Sequence, residues 1–496
     1  MALPASASRP QDGDRGQSKR ARAGAPAAKD RTAICQPVDD ARTFDIAIIG
    51  AGVVGCAIFR EMCLAGARCI LLERYADILA GASKGNSAIL HTGFDAPPNS
   101  LEARCLRDGN RRYRAIHRAL NLPLIETAAV VIAWSDADEA ALPAIVADAH
   151  RNDVHDARII RGEDLLAREP NLARDARAAL FVPGEAIIDP WSAPLAYVLQ
   201  GIAHGGVVKR QTEVTSGRHD DHGWVLHTSK GDFRARTVFN CAGNFGDLVE
   251  AIARPSPFAI RPRKGQFVVF DKSAGDLVAT IILPVPNERT KGVVVCPTVF
   301  GNLLVGPTAE DQDDRSSATL DETKLRSLID TGRRIVPKLV DHSITAAYAG
   351  LRPATQFKDF QIEALPDRHW ISVSGIRSTG LTAALGIAAH VRSLHESHFG
   401  SFTPAAKIIW TPVPNLAEAH PRDWQRSGRS TVVCHCEMVT ADDIERAFAQ
   451  PLPAASLGAV KRRTRCMMGR CQGFYCSRRV LEIADGRCGP LAEPID

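Results

Sequence analysis

The stretch Phe44-Asp-Ile-Ala-Ile-Ile-Gly50-Ala-Gly52-Val-Val-Gly55 constrains this chain more than any other. A short apolar run rich in β-branched residues predicts a buried strand, and three glycines follow in G-x-G-x-x-G spacing. Gly50 suits a tight turn, Gly52 a backbone that must approach a pyrophosphate, and Gly55 close packing of helix on strand. The helix predicted from about Val53 to Ala65 would turn its positive end toward the phosphates, and Gly66 suits its left-handed finish. Cys69–Leu72 reads as a second strand, after which Glu73 can hold ribose hydroxyls, with Arg74 beside it. A lone glycine motif also fits a phosphate-free packing turn. Strand, motif, helix, strand and acid in this order point to a dinucleotide. Glu73 favours an unphosphorylated ribose, leaving FAD or NAD, and the motif does not choose between them.

The chain's 496 residues give room for two or three domains and a large core. No apolar run approaches the roughly 18 residues a membrane span requires. Any membrane contact is therefore expected to be peripheral: the reading is a cytoplasmic protein, with the inner face of a membrane as the alternative. A net charge of +5 is modest for this length, and no basic stripe is interleaved with aromatics, so a nucleic-acid binder is not expected. Residues 1–43 are rich in Ala, Ser, Pro, Gly and charge, with a basic knot at Lys19-Arg20-Ala21-Arg22, and read as a disordered tail. Asp12, Asp14, Asp30, Asp39 and Asp40 argue against a transit peptide, which avoids acids.

Ten of the thirteen cysteines fall into two kinds. Cys56, Cys63, Cys69, Cys241 and Cys296 lie in apolar or glycine-rich runs, where a free thiol behaves as a small buried hydrophobe. Cys434, Cys436, Cys466, Cys471 and Cys476 crowd together near the C-terminus. Without a secretory signal, that crowding reads as metal binding in a reducing compartment rather than as a disulfide framework.

Between these features the chain carries further motifs. Gly81-Ala-Ser83-Lys84-Gly-Asn86-Ser87-Ala-Ile-Leu-His91-Thr92-Gly93 resembles the "G-A-S-x-x-N-S-G-x-x-H-x-G" signature of FAD-dependent dehydrogenases. The relatives are the glycerol-3-phosphate and L-2-hydroxyglutarate dehydrogenases of the superfamily that also holds the D-amino-acid oxidases. The resemblance implies that this segment runs along the flavin; Ala88 stands where glycine is usual. Val207–Val214 suits another strand of the nucleotide domain. Asn240-Cys241-Ala242-Gly243 resembles the family's "N-A-A-G" turn by the dinucleotide phosphates. Arg261–Gln266 and Pro297–Thr308 resemble strands around the substrate cavity, with Phe300 where relatives often carry His. Tyr348-Ala-Gly350-Leu-Arg352-Pro and Gly375-Ile-Arg377-Ser-Thr379-Gly380-Leu381-Thr382 complete the pattern. The second resembles "G-I-x-S-x-G-L-T", where helix-start N–H groups meet the isoalloxazine edge; Arg377 and Thr379 replace the commoner Glu and Pro. The resemblance covers about residues 44–400 and selects FAD over NAD.

Residues 401–430 are Pro-rich and read as a linker. Beyond it, Thr440–Asp443 is a helix N-cap pattern, and a second short helix is predicted over Leu457–Arg463. On spacing alone the cysteines fit a zinc ion or an iron–sulfur cluster equally. The stretch from Cys434 to Gly486 resembles the [2Fe–2S] domain of bacterioferritin-associated ferredoxin, which is also found attached to opine and glycerol-3-phosphate type flavoproteins. That resemblance implies a cluster. Cys434 and Cys436 belong to every ligand set; the second pair is Cys466 with Cys471 or Cys471 with Cys476, both C-x4-C, and Gly469 and Gly473 serve the two loops equally. The resemblance to "T-R-x-G-M-G-x-C-Q-G-x-x-C" selects Cys471 and Cys476. Lys461, Arg462, Arg463, Arg465, Arg470, Arg478 and Arg479 crowd the same region, to offset cluster charge, to dock an acidic partner, or simply as a solvated face.

The expected fold is α/β (α+β overall): a Rossmann-like FAD-binding domain, an inserted mixed-sheet substrate domain, and a small helical [2Fe–2S] domain. The FAD-binding parts are expected at about 44–110, 190–255 and 345–400, the substrate domain at 111–189 and 256–344, and the cluster domain at 431–496. The flavin contacts implied are Gly50, Gly52, Val53, Gly55, Glu73, Arg74, Ser83, Asn86, Ser87, Val214, Ala242, Gly243, Gly350, Gly375, Gly380, Leu381 and Thr382. His91 is the candidate base, because imidazole titrates near neutrality. Arg352 is the candidate anchor for an anionic substrate, with Lys264 assisting as a point charge. The reaction expected is oxidation of a small anionic hydroxy compound, first glycerol 3-phosphate, then a 2-hydroxy acid, an opine or an amino acid. Electrons would pass to a quinone or protein acceptor, and the reading leaves room for a partner chain. An electron-transfer component without turnover is the alternative of another class.

Overall fold

The computed structural model describes residues 43–286, 292–425 and 430–489, all within one compact unit; the tail expected over 1–43 lies outside them except for Thr43. Thr43–Ile49 forms a strand whose last four residues are fully enclosed, and the helix Val53–Leu64 follows with ten of its twelve residues buried. Cys69–Leu72 forms the second strand. Gly50 adopts φ +103°, and a Cβ on Gly55 would lie 2.0 Å from the Gly50 carbonyl oxygen, so helix and strand can approach this closely only with glycine at 55.

These elements centre an eight-stranded sheet. Thr43–Ile49 pairs in parallel with Cys69–Leu72 on one side and Gly231–Asn240 on the other. Val207–Lys209 and Trp370–Ser374 extend the parallel set at its two flanks. The carboxyl ends of the parallel strands therefore converge at Gly50, Glu73, Cys241 and Gly375, the crevice where open α/β sheets bind ligands. A large core lies on one face, where the helices Val53–Leu64, Ser192–Ala203 and Gly380–Phe399 pack. The helix Leu101–Ile116 crosses Gly380–Phe399 at backbone distance: a Cβ on Gly109 would meet the Thr382 carbonyl oxygen at 2.0 Å, and one on Gly386 the Cys105 carbonyl oxygen at 2.2 Å.

A second, mixed sheet has nine strands drawn from 129–182 and 263–352. Ile344–Arg352 belongs to it, because its antiparallel neighbour is Arg263–Phe270. A small three-stranded sheet (Ile89–Leu90, Ala186–Ile188, Leu124–Glu126) joins the flavin-side segment to the second sheet's region of the chain. The segment 401–425 is irregular but not loose: Val413, Leu416 and Ala417 are buried, and Lys272 pairs with Glu418 at 2.7 Å.

The cysteine-bearing region folds around three short helices, Ala441–Ala449, Leu457–Thr464 and Ser477–Ala484. Thr440 and Asp443 form the reciprocal capping box expected from their spacing.

Candidate active site and cysteine nest

The helices starting at Val53 and at Gly380 begin in buried surroundings without a side-chain cap on the N-cap residue. Each leaves backbone N–H groups aimed at the crevice, an arrangement that calls for an anionic or carbonyl ligand. At the first, Ser83 Oγ accepts from Val53 N–H at 3.0 Å. A Cβ on Gly52 would meet nothing nearer than Ser83 Oγ at 3.2 Å, so the space before Gly52 is not filled by backbone. Glu73 is buried, and its carboxylate accepts from Ala51 N–H at 2.8 Å and Tyr75 N–H at 2.9 Å. Burial pushes its pKa up, against those two bonds. Arg74 stacks over Phe245 at 3.7 Å. Gln211 and Thr212 pair their N–H groups with the Tyr75 and Glu73 carbonyls, which brings Val214 beside this strand end. Ala242 and Gly243 follow the neighbouring strand directly. The donor set, the glycine cradle and the buried acid fit the ADP half of FAD.

The segment 81–93 continues from that cradle. Tyr348 O–H donates to the Asn86 carbonyl at 2.6 Å, and a Cβ on Gly85 would stand 2.8 Å from Gly350 Cα. Alternation along a strand puts Tyr348, Gly350 and Arg352 on one face. Arg352 therefore shares the face that touches the flavin-side loop. Its guanidinium donates to the Thr308 carbonyl at 3.3 Å, and among the described residues it has no carboxylate partner. Burial and then the nearby Arg263 push its pKa down to about 10, so it stays cationic at neutral pH. A Cβ on Gly265 would meet Arg352 Nη2 at 2.2 Å; glycine there clears its place. Lys264 is not brought to Arg352. It pairs with Leu351 across the strands, on the opposite face, where its ammonium meets the Thr319 carbonyl at 3.2 Å and Glu310 at 3.6 Å. Arg263, directly opposite Arg352 in the register, is the cation the face does provide.

His91 is reached through the small sheet. Leu90 pairs with Ala186, so His91 falls opposite Glu185. Nδ1 of His91 lies 3.0 Å from Glu185 Oε2, while Thr92 donates to Oε1 of the same carboxylate through N–H at 2.6 Å and Oγ at 2.8 Å. The Glu185 side chain is fully buried. Such a partner keeps the proton on Nδ1 and leaves Nε2 as the nitrogen able to accept one. Thr382 Oγ accepts from His91 N–H at 3.0 Å, tying this dyad to the start of the helix Gly380–Phe399. Gly380 and Leu381 are buried in that first turn, Gly375 precedes it at φ +72°, and half-buried Ser87 sits between Asn86 and Ala88. Ala88 itself has φ +63°, a left-handed alanine where the resemblance expects glycine.

The sulfurs of Cys434, Cys466 and Cys476 lie within 4.8 Å of one another and are buried. Cys436 and Cys471, half-buried, lie within hydrogen-bonding reach of each other beside that trio. All five crowded cysteines thus come together, an all-thiolate donor set of the kind that holds iron–sulfur clusters. The basic residues around them mostly join this region to the rest. Arg463 meets Asp77 at 2.7 Å with both side chains buried. Arg470 meets Asp271 at 2.8 Å, and Arg465 meets Glu437 at 3.2 Å. The Arg465 guanidinium lies 4.0 Å over Phe300, which stacks on Trp191 at 5.6 Å, and Trp191 Nε1–H donates to the Lys84 carbonyl at 3.2 Å. Phe300 thus faces the cysteine region and links it to the flavin-side loop. Arg478 and Arg479 remain on the surface, each bonded to Glu482.

Residues 45–394 match the family described as FAD dependent oxidoreductase, and residues 432–485 match the BFD-like [2Fe–2S] binding domain. A glycerol 3-phosphate dehydrogenase of Caloramator mitchellensis is 34% identical over 451 residues, covering 89% of this chain and 93% of that protein. One of the subunits of the anaerobic glycerol-3-phosphate dehydrogenase of Escherichia coli (strain K12) is 27% identical over 502 residues, covering 89% and 88%. The structure of the dithionite-reduced, FAD-bound L-alpha-glycerophosphate oxidase of Mycoplasma pneumoniae is 25% identical, covers 74% of this chain and 97% of its own, and superposes with a TM-score of 0.68.

Proposed function

The chain belongs to the FAD-dependent oxidoreductase family, with FAD and a [2Fe–2S] cluster as its cofactors, and we propose that it is a dehydrogenase of glycerol 3-phosphate delivering electrons to an external acceptor. The observation that carries this reading is Arg352: a half-buried guanidinium with no acidic partner among the described residues, on the face that touches the flavin-side loop. Such a cation suits the bidentate geometry of a phosphate or carboxylate. The names of the relatives at 34% and 27% identity favour phosphate.

Bound FAD supplies the hydride acceptor. The chain's own residues do the rest. Arg352, with Arg263 beside it, holds the phosphate. His91, oriented by Glu185, takes the hydroxyl proton at Nε2 as the neighbouring carbon loses hydride. The turn Gly380–Thr382, whose N-cap residue makes no side-chain cap, would offer N–H groups to negative charge on the reduced cofactor. Lys264 contributes from the other face of its strand, through the field it shares with Arg263. Gly50, Gly52, Val53, Gly55 and Glu73 hold the adenosine diphosphate, non-covalently. Cys434, Cys436, Cys471 and Cys476 would hold the cluster, and because Cys436 and Cys471 are half-buried, a quinone or a protein acceptor could approach on their side. The E. coli relative is named as one subunit of its enzyme, which favours a partner chain for this protein as well.

Anaerobic titration of the holoprotein with glycerol 3-phosphate, 2-hydroxy acids, opines and amino acids tests this reading. Flavin bleaching with glycerol 3-phosphate at the lowest concentration is expected. Preferential bleaching by another substrate reassigns the anion, and reduction only by a protein partner makes the chain an electron carrier. Iron quantitation distinguishes the cluster from zinc.

A further inference from the structure

A [2Fe–2S] cluster takes four thiolate ligands, and this nest holds five cysteines. The surplus sulfur is not peripheral. Cys466 is 0% exposed, and its Sγ lies within 4.8 Å of both Cys434 and Cys476. Its backbone is held on both sides. Arg465 before it adopts φ +72° and Met467 after it φ +64°, left-handed conformations that a non-glycine residue takes only at a cost. The Cys466 N–H donates to Thr464 Oγ at 3.0 Å, and Thr464 donates in turn to the Val460 carbonyl at 2.7 Å. Arg465 is itself anchored by Glu437 and by Phe300. Two strained residues and a satisfied N–H thus fix one sulfur against the ligand set, and side chains held in strained backbone mark sites where position matters.

We propose that Cys466 is not a ligand but a buried S–H donor to the Cys434 sulfur, and that this bond tunes the reduction potential of the cluster. The inference rests on the reading that Cys434, Cys436, Cys471 and Cys476 hold the cluster. Its physical basis is general. One-electron reduction adds negative charge to the cluster and its thiolates, and a hydrogen bond to a ligating sulfur stabilises that charge more strongly in the reduced state. A donor therefore raises the potential, easing electron uptake from the flavin side. A neutral thiol is a weak donor, and enclosure away from water makes its bond count for more. The surroundings of Cys434 fit an acceptor: its sulfur is enclosed and lies within 4.8 Å of the Cys466 sulfur.

Full-length Cys466→Ala and Cys466→Ser proteins, reconstituted anaerobically, test this without recourse to turnover. Iron and sulfide per chain are quantified, and the cluster's midpoint potential is measured by EPR-monitored titration. The expected result is wild-type iron content in both variants, a more negative potential in Cys466→Ala, and a smaller shift in Cys466→Ser, which keeps an O–H donor. A potential that is unchanged or more positive in Cys466→Ala would overturn the proposal. Loss of iron from Cys466→Ala would overturn it as well, by placing Cys466 among the groups the cluster cannot do without. Zinc in place of iron in the wild type would instead contradict the cluster reading on which the inference stands.

Discussion

Glu185 is placed to act entirely through His91, and replacing it with glutamine isolates that role. Its carboxylate, 0% exposed, accepts from His91 Nδ1, Thr92 N–H and Thr92 Oγ at 3.0, 2.6 and 2.8 Å. Glutamine keeps the shape but offers one acceptor oxygen. If that oxygen stays with Thr92, the amide NH2 faces the imidazole, and Nδ1 must give up its proton to accept from it. The base then presents Nε2–H to the substrate, the wrong tautomer for removing a proton. The loss expected is that of a general base, about 10²–10⁴-fold in the rate of flavin reduction. One unsatisfied buried donor adds about 1–3 kcal/mol of destabilisation. Anaerobic stopped-flow reduction of Glu185→Gln by glycerol 3-phosphate reads the rate, and flavin content shows that the site is intact. The double variant with His91→Gln should be no slower than His91→Gln alone, since the two act as a unit. Wild-type flavin reduction in Glu185→Gln would refute this reasoning.

Three other outcomes follow from the same geometry. Arg352→Ala should weaken substrate binding by about 2–4 kcal/mol, roughly 30- to 1,000-fold in KM, with Arg352→Lys recovering part of it; unchanged kinetics in both would remove Arg352 from the substrate site. Arg463→Ala removes from buried Asp77 the nearer of the two arginines paired with it among the described residues, and Arg210 stands at 3.5 Å. The cost should be about 3 kcal/mol, read as earlier thermal loss of the cluster absorbance while the flavin absorbance persists. The third concerns pH. Arg470, through its hydrogen bonds, holds the Asp271 carboxyl below its ordinary 3.8, at about 2. A depressed carboxyl stabilises the fold above its unfolded pKa and loses that contribution as pH falls through the folded one. Protection factors in the cysteine region, which are exchange rates corrected for their intrinsic pH dependence, should therefore stay constant from pH 7 to 5 and fall between about pH 4 and pH 2, and Arg470→Ala should abolish that step.

The elements set by local pattern were legible in the sequence. The strand 43–49, the helix from Val53, the strand Cys69–Leu72 and the Thr440–Asp443 cap all follow from apolar periodicity, glycine spacing and capping chemistry, which act over a few residues. What the sequence hid depends on register between distant segments. Glu185 lies 94 positions from His91 and meets it only because Leu90 pairs with Ala186. The signal in the sequence was faint: an acid just after Pro183-Gly184, at the start of a short apolar run. Lys264 and Arg352 look equivalent as nearby cations, yet one residue of register sends Lys264 to the opposite face and leaves Arg263 with Arg352. Phe300, read from its strand as a cavity residue, is covered by Arg465 from a region more than 160 positions away. The basic run 461–479 reads as a charged surface in one dimension, whereas Arg463 and Arg465 are buried in ion pairs.

The central claim is that glycerol 3-phosphate reduces the flavin of this chain and that the electrons then reach its cysteine-held cluster. Rapid mixing of the oxidised holoprotein with glycerol 3-phosphate, followed by absorbance at the flavin band and by freeze-quench EPR, tests both halves in one measurement. The account predicts that the flavin band bleaches first and that a reduced [2Fe–2S] signal grows in afterwards, without any added mediator. Bleaching of neither centre by glycerol 3-phosphate, in a protein whose flavin and iron are both present and reducible by dithionite, would contradict it.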